Sequence, residues 1–167
     1  MAASGEPRYR AAQVVRHLWE RPAADFTGMT ALPLPLRSAL TDRFAIPRLE
    51  IVARQRSTDG TEQFLFRLPE GQEIETVAIP EGGRLTLCIS SQAGCALQCA
   101  FCATGRMGFQ RNLAAWEIAA QVREMALLDP PIRVTNGVFL GRGEPSKNWS
   151  PGDRRRPDPH TPPGAGH

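Results

Sequence analysis

The sequence predicts an α/β fold in which a small helical appendage and an antiparallel β meander precede the start of a parallel sheet. Three observations support this prediction. Apolar residues recur at helical spacing near the N-terminus, alternating runs between turns follow, and a strand, a helix and a second strand come after them. The 167 residues leave room for one domain with such an appendage.

The appendage, residues 1–47, is predicted to contain two short helices. Residues 8–20 predict the first, since their apolar members fall on one helical face: Ala11, Val14, Val15, Leu18 and Trp19. The second is predicted around residues 36–42. Arg8 and Arg16 lie off the apolar face. The appendage is therefore either an RNA-facing element or a helical cap with solvated charges.

Residues 48–90 predict the meander. Four runs of alternating or β-branched residues, "RLEIVARQR", "EQFLFRL", "EIETVAI" and "RLTLCIS", are separated by turns that carry Gly or Pro. Asp59-Gly60 is a strong hairpin signal within the first of these turns. We expect Arg54, Arg56 and Arg67 to line one face of the meander.

The parallel part is predicted as a β-α-β unit of strand 84–90, helix 113–128 and strand 133–140. Asn112 is the expected N-cap of the helix, and Pro130 follows its end. The helical spacing is carried by four residues: Ala115, Ile118, Val122 and Met125. A cysteine-rich segment fills the loop after the first strand, and α/β folds place their chemistry at that end of a strand.

Composition indicates a reducing compartment. The N-terminus has no apolar targeting stretch, and no apolar run approaches the ~20 residues that span a bilayer. We therefore expect a cytoplasmic protein without a membrane segment, in which clustered cysteines serve metal or redox chemistry. The net charge of +3 permits contact with nucleic acid without requiring it.

All four cysteines lie within fifteen residues, as Cys88, Cys95, Cys99 and Cys102. A structural disulfide set is disfavoured by the compartment and the crowding. Structural zinc would use all four thiolates, although the usual second knuckle is missing. A 4Fe–4S cluster held by the last three would leave one iron open to a small molecule. The spacing favours the cluster over zinc and leaves both open.

The motif C-x3-C-x2-C, with Phe101 before its last cysteine and "GEP" downstream, resembles radical S-adenosylmethionine (SAM) enzymes. The stretch "EIETVAIPEGGRLTLCISSQAGCALQCAFCATGRMGFQRNL" resembles the 23S rRNA adenine-C2 methyltransferase family, whose members also modify tRNA. The resemblance runs from about residue 9 to Pro145. It implies the N-terminal portion of a radical-SAM partial (β/α) barrel, with residues 84–145 as the start of its core. A related family that methylates adenine C8 shares most of the pattern.

The resemblance implies the cofactors and partners. SAM would chelate the open iron of a 4Fe–4S cluster through its amino and carboxylate groups, and reduction of the cluster would cleave SAM to a 5′-deoxyadenosyl radical. A methylated cysteine near the family's C-terminal end would carry the methyl group to adenine C2. The implied partners are 23S rRNA, tRNA, and an electron donor such as flavodoxin or ferredoxin, and the implied state is a monomer.

The resemblance also assigns the site residues. It makes Cys95, Cys99 and Cys102 the cluster ligands. Gly143 and Glu144 would contact SAM. Cys88 would release the enzyme–RNA adduct through a transient disulfide with the methyl-carrying cysteine, and Glu75 would be the proton acceptor. These last two roles rest on the flanking match alone.

The resemblance ends at Pro145. Residues 146–167 are rich in proline and arginine, and no cysteine follows Cys102 to carry a methyl group. We therefore expect a disordered, out-of-frame tail on a truncated chain that does not methylate adenine by itself. The alternatives are a non-catalytic RNA-binding fragment and a small zinc-binding structural protein.

Overall fold

The computed structural model describes residues 6–148, so most of the predicted tail lies outside the described residues. The helices are α1 (Tyr9–Trp19), α2 (Leu34–Arg43), α3 (Ala103–Arg106) and α4 (Ala115–Ala126), and a 3-10 turn spans Pro145–Asn148. The strands are β1 (Glu50–Arg56), β2 (Glu62–Arg67), β3 (Glu73–Glu81), β4 (Arg84–Cys88), β5 (Gln92–Gly94), β6 (Phe109–Asn112) and β7 (Asn136–Val138). Within residues 6–148, none of the helices has the length and apolar character needed to cross a membrane.

One mixed sheet organises the chain. Its five strands run in the order β1-β2-β3-β4-β7, with antiparallel pairing from β1 to β4 and parallel pairing between β4 and β7. β5 and β6 form a separate two-stranded ribbon. The predicted meander and the β-α-β unit are both confirmed, and β4 belongs to both. The fold is α/β with an open sheet, as a partial barrel requires.

The two faces of the sheet have different roles. One face carries the core, where Phe64, Phe66 and Ile74 are fully buried. Glu75 is the next residue of β3, so it points to the opposite face. Cys88 pairs with Val77 on β3 and therefore shares the face of Glu75.

The expectation that Arg54, Arg56 and Arg67 share a face is wrong. Arg54 lies opposite Phe64 in the sheet register, so Arg54 and Arg56 share the face of that phenylalanine. Arg67 follows Phe66 directly and points the other way. Arg54 pairs with Glu62, while Arg67 pairs with Glu50 and Glu73, so neighbouring carboxylates compensate both charges.

Helix α4 begins later than predicted. Asn112 ends β6 and is not the N-cap, which is Ala114, and the Glu117 side chain accepts a hydrogen bond from the Ala114 N–H at 2.7 Å. The predicted apolar face is also incomplete, because Ala115 is exposed. The buried residues of α4 are mostly polar or charged: Glu117, Ala120, Gln121, Arg123, Glu124 and Met125. β7 is likewise shorter than the predicted strand 133–140.

Polar side chains of α4 hold the appendage. The appendage has a small core of its own, formed by Phe26, Met29, Leu32 and Leu36. Arg123 donates hydrogen bonds to the carbonyl oxygens of Ala23, at 2.6 Å, and Pro47, at 3.5 Å. Glu124 accepts hydrogen bonds from Arg48 Nε and Nη2, each as short as 2.7 Å. The appendage is therefore fastened to the helix that covers the sheet.

Candidate active site

The three predicted cluster ligands lie in one loop between β5 and β6. Its base is closed by the two-stranded ribbon and by a hydrogen bond from the Cys95 N–H to the Gly108 carbonyl at 3.1 Å. Within the loop, the Cys102 N–H donates to the Cys99 carbonyl at 3.0 Å. The backbone thus holds all three cysteines on one loop, which follows β5.

The thiols differ in environment. Cys95 is buried, whereas Cys99 and Cys102 are half-buried, and all four cysteines are free, so the described residues hold no disulfide. A hydrogen bond from the Gly105 N–H lowers the pKa of Cys102, which favours the thiolate that binds metal. Across residues 6–148, no three His, Cys, Asp or Glu side chains converge closely enough to hold a metal ion. The donor set itself, three thiolates on one loop, suits an iron–sulfur cluster with an open iron.

Gly94 allows the loop to close. Its φ is +75°, and a Cβ at this position would lie 1.9 Å from the Gly108 carbonyl oxygen. Two backbone segments therefore approach each other more closely there than any side chain permits.

Replacing Gly94 with alanine is expected to cost far more stability than replacing Gly83. Both glycines have a similar φ, +75° and +79°, so each alanine adds the left-handed penalty of about 1–2 kcal/mol. Gly83 has no atom within 4 Å of the added Cβ, whereas Gly94 meets a backbone oxygen that cannot rotate away. Urea denaturation of the two variants measures the difference, and equal losses would contradict the close approach.

The second half of the site is the loop after β7. The Glu144 N–H donates a hydrogen bond to Gln92 Oε1 at 3.0 Å. Gly143 has a φ of +98°, and a Cβ there would lie 2.5 Å from the Gln92 Cβ. The backbone N–H of Ser146 holds the pKa of the Glu144 carboxyl below its usual value, so this carboxylate is ionised at neutral pH. The Gly143–Glu144 backbone is thus fixed beside the base of the cysteine loop.

The structure brings Glu75 to this same loop through Arg142. The guanidinium Nη2 of Arg142 lies 2.5 Å from Glu75 Oε1, and its Nη1 donates to the Glu73 carbonyl at 3.2 Å. Ser90 joins the two backbones, since its hydroxyl donates to the Glu75 carbonyl and accepts from the Arg142 N–H. Arg142 stands in "GRGEP", yet nothing local in the sequence indicated its partner.

Cys88 lies outside the cysteine loop, at the end of β4, between Val77 of β3 and Val138 of β7. Burial raises the pKa of its thiol, so it is protonated at neutral pH. Cys88 thus differs from Cys102, whose pKa is lowered. The structure places Cys88 on the sheet face of Glu75 and apart from the three loop cysteines.

Comparison with known proteins identifies the class. A crystal structure of a radical SAM methyltransferase from Sphaerobacter thermophilus superposes with a TM-score of 0.79 and 44% sequence identity, covering 89% of this chain and 44% of that one. The α/β fold with its cysteine loop after β4 is therefore that of a radical SAM methyltransferase. The family described as "Ribosomal RNA large subunit methyltransferase N-terminal domain" matches residues 1–46.

Curated relatives show what the chain is similar to. The chain is 65% identical over 149 residues to the probable dual-specificity RNA methyltransferase RlmN of Gemmatimonas aurantiaca, covering 89% of this chain and 41% of that protein. It is 46% identical to the dual-specificity RNA methyltransferase RlmN of Halorhodospira halophila, covering 88% and 41%. Over most of its length the chain is similar to these RlmN methyltransferases, and it spans about two fifths of their length.

Proposed function

We propose that this chain forms the cluster-binding and SAM-binding part of an RNA methyltransferase that modifies adenine C2 by a radical mechanism. One observation carries the proposal. A three-cysteine loop that follows β5 lies beside the fixed Gly143–Glu144 backbone, within the fold of a radical SAM methyltransferase. The finer assignments below rest on this arrangement together with the family motifs.

Cys95, Cys99 and Cys102 would hold the cluster as thiolates. A bound 4Fe–4S cluster with one open iron supplies the electron for cleavage of SAM. Glu144 is ionised, and its carboxylate and the backbone carbonyl of Gly143 can accept hydrogen bonds from the N–H groups of an amino group. That chemistry fits the amino end of SAM.

Glu75 would accept the proton that adenine C2 releases. The Arg142 guanidinium holds the Glu75 carboxylate next to the loop after β7. Glu75 remains about one third exposed, so an adenine ring can reach it. Cys88 would act later, in release of the RNA adduct. Its thiol is protonated and lies on the same face of the sheet as Glu75. Its disulfide partner would come from outside residues 6–148.

The proposed partners are 23S rRNA and tRNA, together with a reducing protein such as flavodoxin or ferredoxin. The names of the curated relatives describe dual-specificity RNA methyltransferases, which supports two RNA substrates. We propose action in the cytoplasm as a monomer, with the appendage of residues 1–47 facing the RNA.

A chimera tests the function. Residues 1–145 would replace the matching segment of the Gemmatimonas aurantiaca relative, which is 65% identical over the aligned region. We expect the purified, reconstituted chimera to form 2-methyladenosine in unmodified rRNA, measured by mass spectrometry. The same chimera with Cys99→Ala should form no 2-methyladenosine. The unaltered Gemmatimonas aurantiaca relative serves as the positive control. A chimera that loads iron and binds SAM but makes no product would refute the proposal.

Reconstitution of the chain by itself separates the cluster from structural zinc. With iron and sulfide under anaerobic conditions, we expect a brown protein with about four irons, whose reduced electron paramagnetic resonance spectrum changes when SAM is added. A colourless protein that retains zinc instead would favour the structural alternative. The likeness to radical SAM methyltransferases does not favour that alternative.

RNA affinity is expected to depend on the appendage more than on the meander. Among the described residues, Arg8 and Arg10 pair with no carboxylate, whereas Arg54 and Arg67 do. The double variant Arg8→Gln/Arg10→Gln should weaken binding of an rRNA fragment and reduce the salt slope by about 1–2, because fewer counterions are released. The matched variant Arg54→Gln/Arg67→Gln removes the same charge. Equal weakening by both variants would contradict an RNA-facing appendage.

A further inference from the structure

Gln92 links the loop after β7 to the β5–β6 ribbon that carries the cysteine loop. Its side chain is fully buried, and it lies two residues before Gly94, in the same strand. Oε1 accepts the hydrogen bond of the Glu144 N–H at 3.0 Å, and Nε2 donates to Asn112 Oδ1 at 2.8 Å. The amide thus links the loop after β7 to the last residue of β6.

The backbone around Gln92 reinforces this bridge. The N–H groups of Ser91 and Gln92 donate to the Arg142 carbonyl at 2.9 and 3.2 Å. Gly143 packs against the Gln92 side chain so closely that a Cβ would meet Cβ, Cγ and the backbone nitrogen of Gln92 within 2.7 Å. The position of the Gly143 backbone is therefore set by the side chain of Gln92.

The bridge matters because the two halves come from distant parts of the chain. The cysteines lie between β5 and β6, whereas Gly143 and Glu144 follow β7. A ligand that touches both halves at once is bound well only if their separation is fixed before it arrives. Gln92 links the loop after β7 to the β5–β6 ribbon that carries the cysteine loop, with one hydrogen bond from each of its two polar atoms.

We propose that Gln92 is a positioning residue that holds the Gly143–Glu144 backbone at the distance from the cysteine loop that SAM requires, an inference that rests on the proposed function. Gln92 itself touches neither the cluster nor SAM. It acts through the Glu144 N–H on one side and through Asn112 on the other. Removing its amide should therefore change SAM affinity without removing a cluster ligand.

The test measures SAM affinity per loaded cluster. Gln92→Leu removes both side-chain hydrogen bonds and keeps a similar volume. Gln92→Glu keeps the acceptor for the Glu144 N–H. In that variant the Asn112 amide can turn and donate to the new carboxylate. The matched control is Thr76→Val, which removes one buried hydrogen bond, from the Thr76 hydroxyl to Gln121, and leaves both side-chain hydrogen bonds of Gln92 in place. Full-length protein is reconstituted anaerobically, and SAM binding is measured by calorimetry and normalised to bound iron.

We expect Gln92→Leu to keep its iron and to weaken SAM binding about tenfold, which corresponds to one lost hydrogen bond of about 1.4 kcal/mol. The change of the reduced cluster's paramagnetic resonance spectrum on SAM addition should need correspondingly more SAM. Gln92→Glu should stay within threefold of the unaltered chain, and Thr76→Val should not differ from it.

Unchanged SAM affinity in Gln92→Leu would overturn the inference, and so would equal weakening in Thr76→Val, which would indicate a general loss of stability. If Gln92→Leu does not fold, Asn112→Ala decides, because Asn112 is exposed and its Oδ1 anchors the Gln92 amide, while its Nδ2 makes only one long hydrogen bond, of 3.4 Å, to the Lys147 carbonyl. We expect it to weaken SAM binding two- to threefold, and no change would overturn the inference. Failure of the unaltered chain to respond to SAM would instead refute the proposed function.

Discussion

Alanine at Cys95, Cys99 or Cys102 is expected to abolish iron binding, whereas Cys88→Ala should leave it intact. A cluster held by three protein thiolates has no spare ligand, so the loss of one leaves two irons without a protein partner. Cys88 is outside the loop, at the end of β4, and burial raises the pKa of its thiol, which disfavours the thiolate that a metal needs.

Iron and sulfide analysis after anaerobic reconstitution measures this difference, and the brown colour gives a direct check. Circular dichroism of each cluster-free variant controls for folding. Cys88→Ala is the matched control, because it removes a thiol of the same chain without touching the loop. Loss of iron in Cys88→Ala would make Cys88 a fourth ligand, and the open iron on which the proposed function depends would be lost.

Replacing Arg48 with methionine is expected to lower the free energy of unfolding by about 2–3 kcal/mol. Glu124 is almost fully buried and takes its hydrogen bonds from Arg48, so the variant leaves a buried carboxylate without its main partner. The value lies below the usual cost of a broken buried pair, because Arg48 is 45% exposed and Arg123 Nη1 lies 4.0 Å from the same carboxylate.

Replacing Glu124 instead of Arg48 separates the effect of the buried charge from the effect of lost packing. Glu124→Gln should cost less than Arg48→Met, because the freed guanidinium of Arg48 can turn toward water. Arg67→Met is the matched control for an exposed pair, and it should cost less than about 1 kcal/mol. Urea denaturation of the three variants gives the comparison. A loss in Arg48→Met no larger than in Arg67→Met would show that Glu124 does not depend on its ion pair.

The features that were predictable from sequence are those with a local signal. Residues 48–90 show their strands because each alternating run ends at a turn residue, and the structure has those strands. The cysteine spacing predicted a metal loop; the structure has Cys95, Cys99 and Cys102 on one loop, and their role as cluster ligands stays a prediction. Both signals lie within a few residues of the feature that they predict.

The polar face of α4 was not predictable in this way. Helical periodicity counts apolar residues, but the buried side of α4 carries Glu117, Gln121 and Glu124. Gln121 accepts hydrogen bonds from Thr76 and from the Ser90 N–H, at 2.8 Å each. These partners lie 45 and 31 residues away, so no local pattern reveals them. The same limit hid Arg142 as the partner of Glu75, which lies 67 residues away.

The two pairings of β4 differ greatly in the length of chain that each must close. β3 and β4 meet across a tight turn, where Glu81 faces Arg84. The pairing of β4 with β7 joins Leu85 to Thr135, which are 50 residues apart. Because closing a long loop costs more entropy, we expect the hairpin to form before β7 docks during folding.

This order has a consequence for maturation. The cysteine loop lies between β5 and β6, and the loop after β7 comes beside it only after β7 has paired with β4. Early in folding, therefore, the three thiols have no neighbour from residues 141–148 beside them. We expect this interval to be the stage at which a cluster enters most easily, before the Gly143–Glu144 backbone narrows the approach.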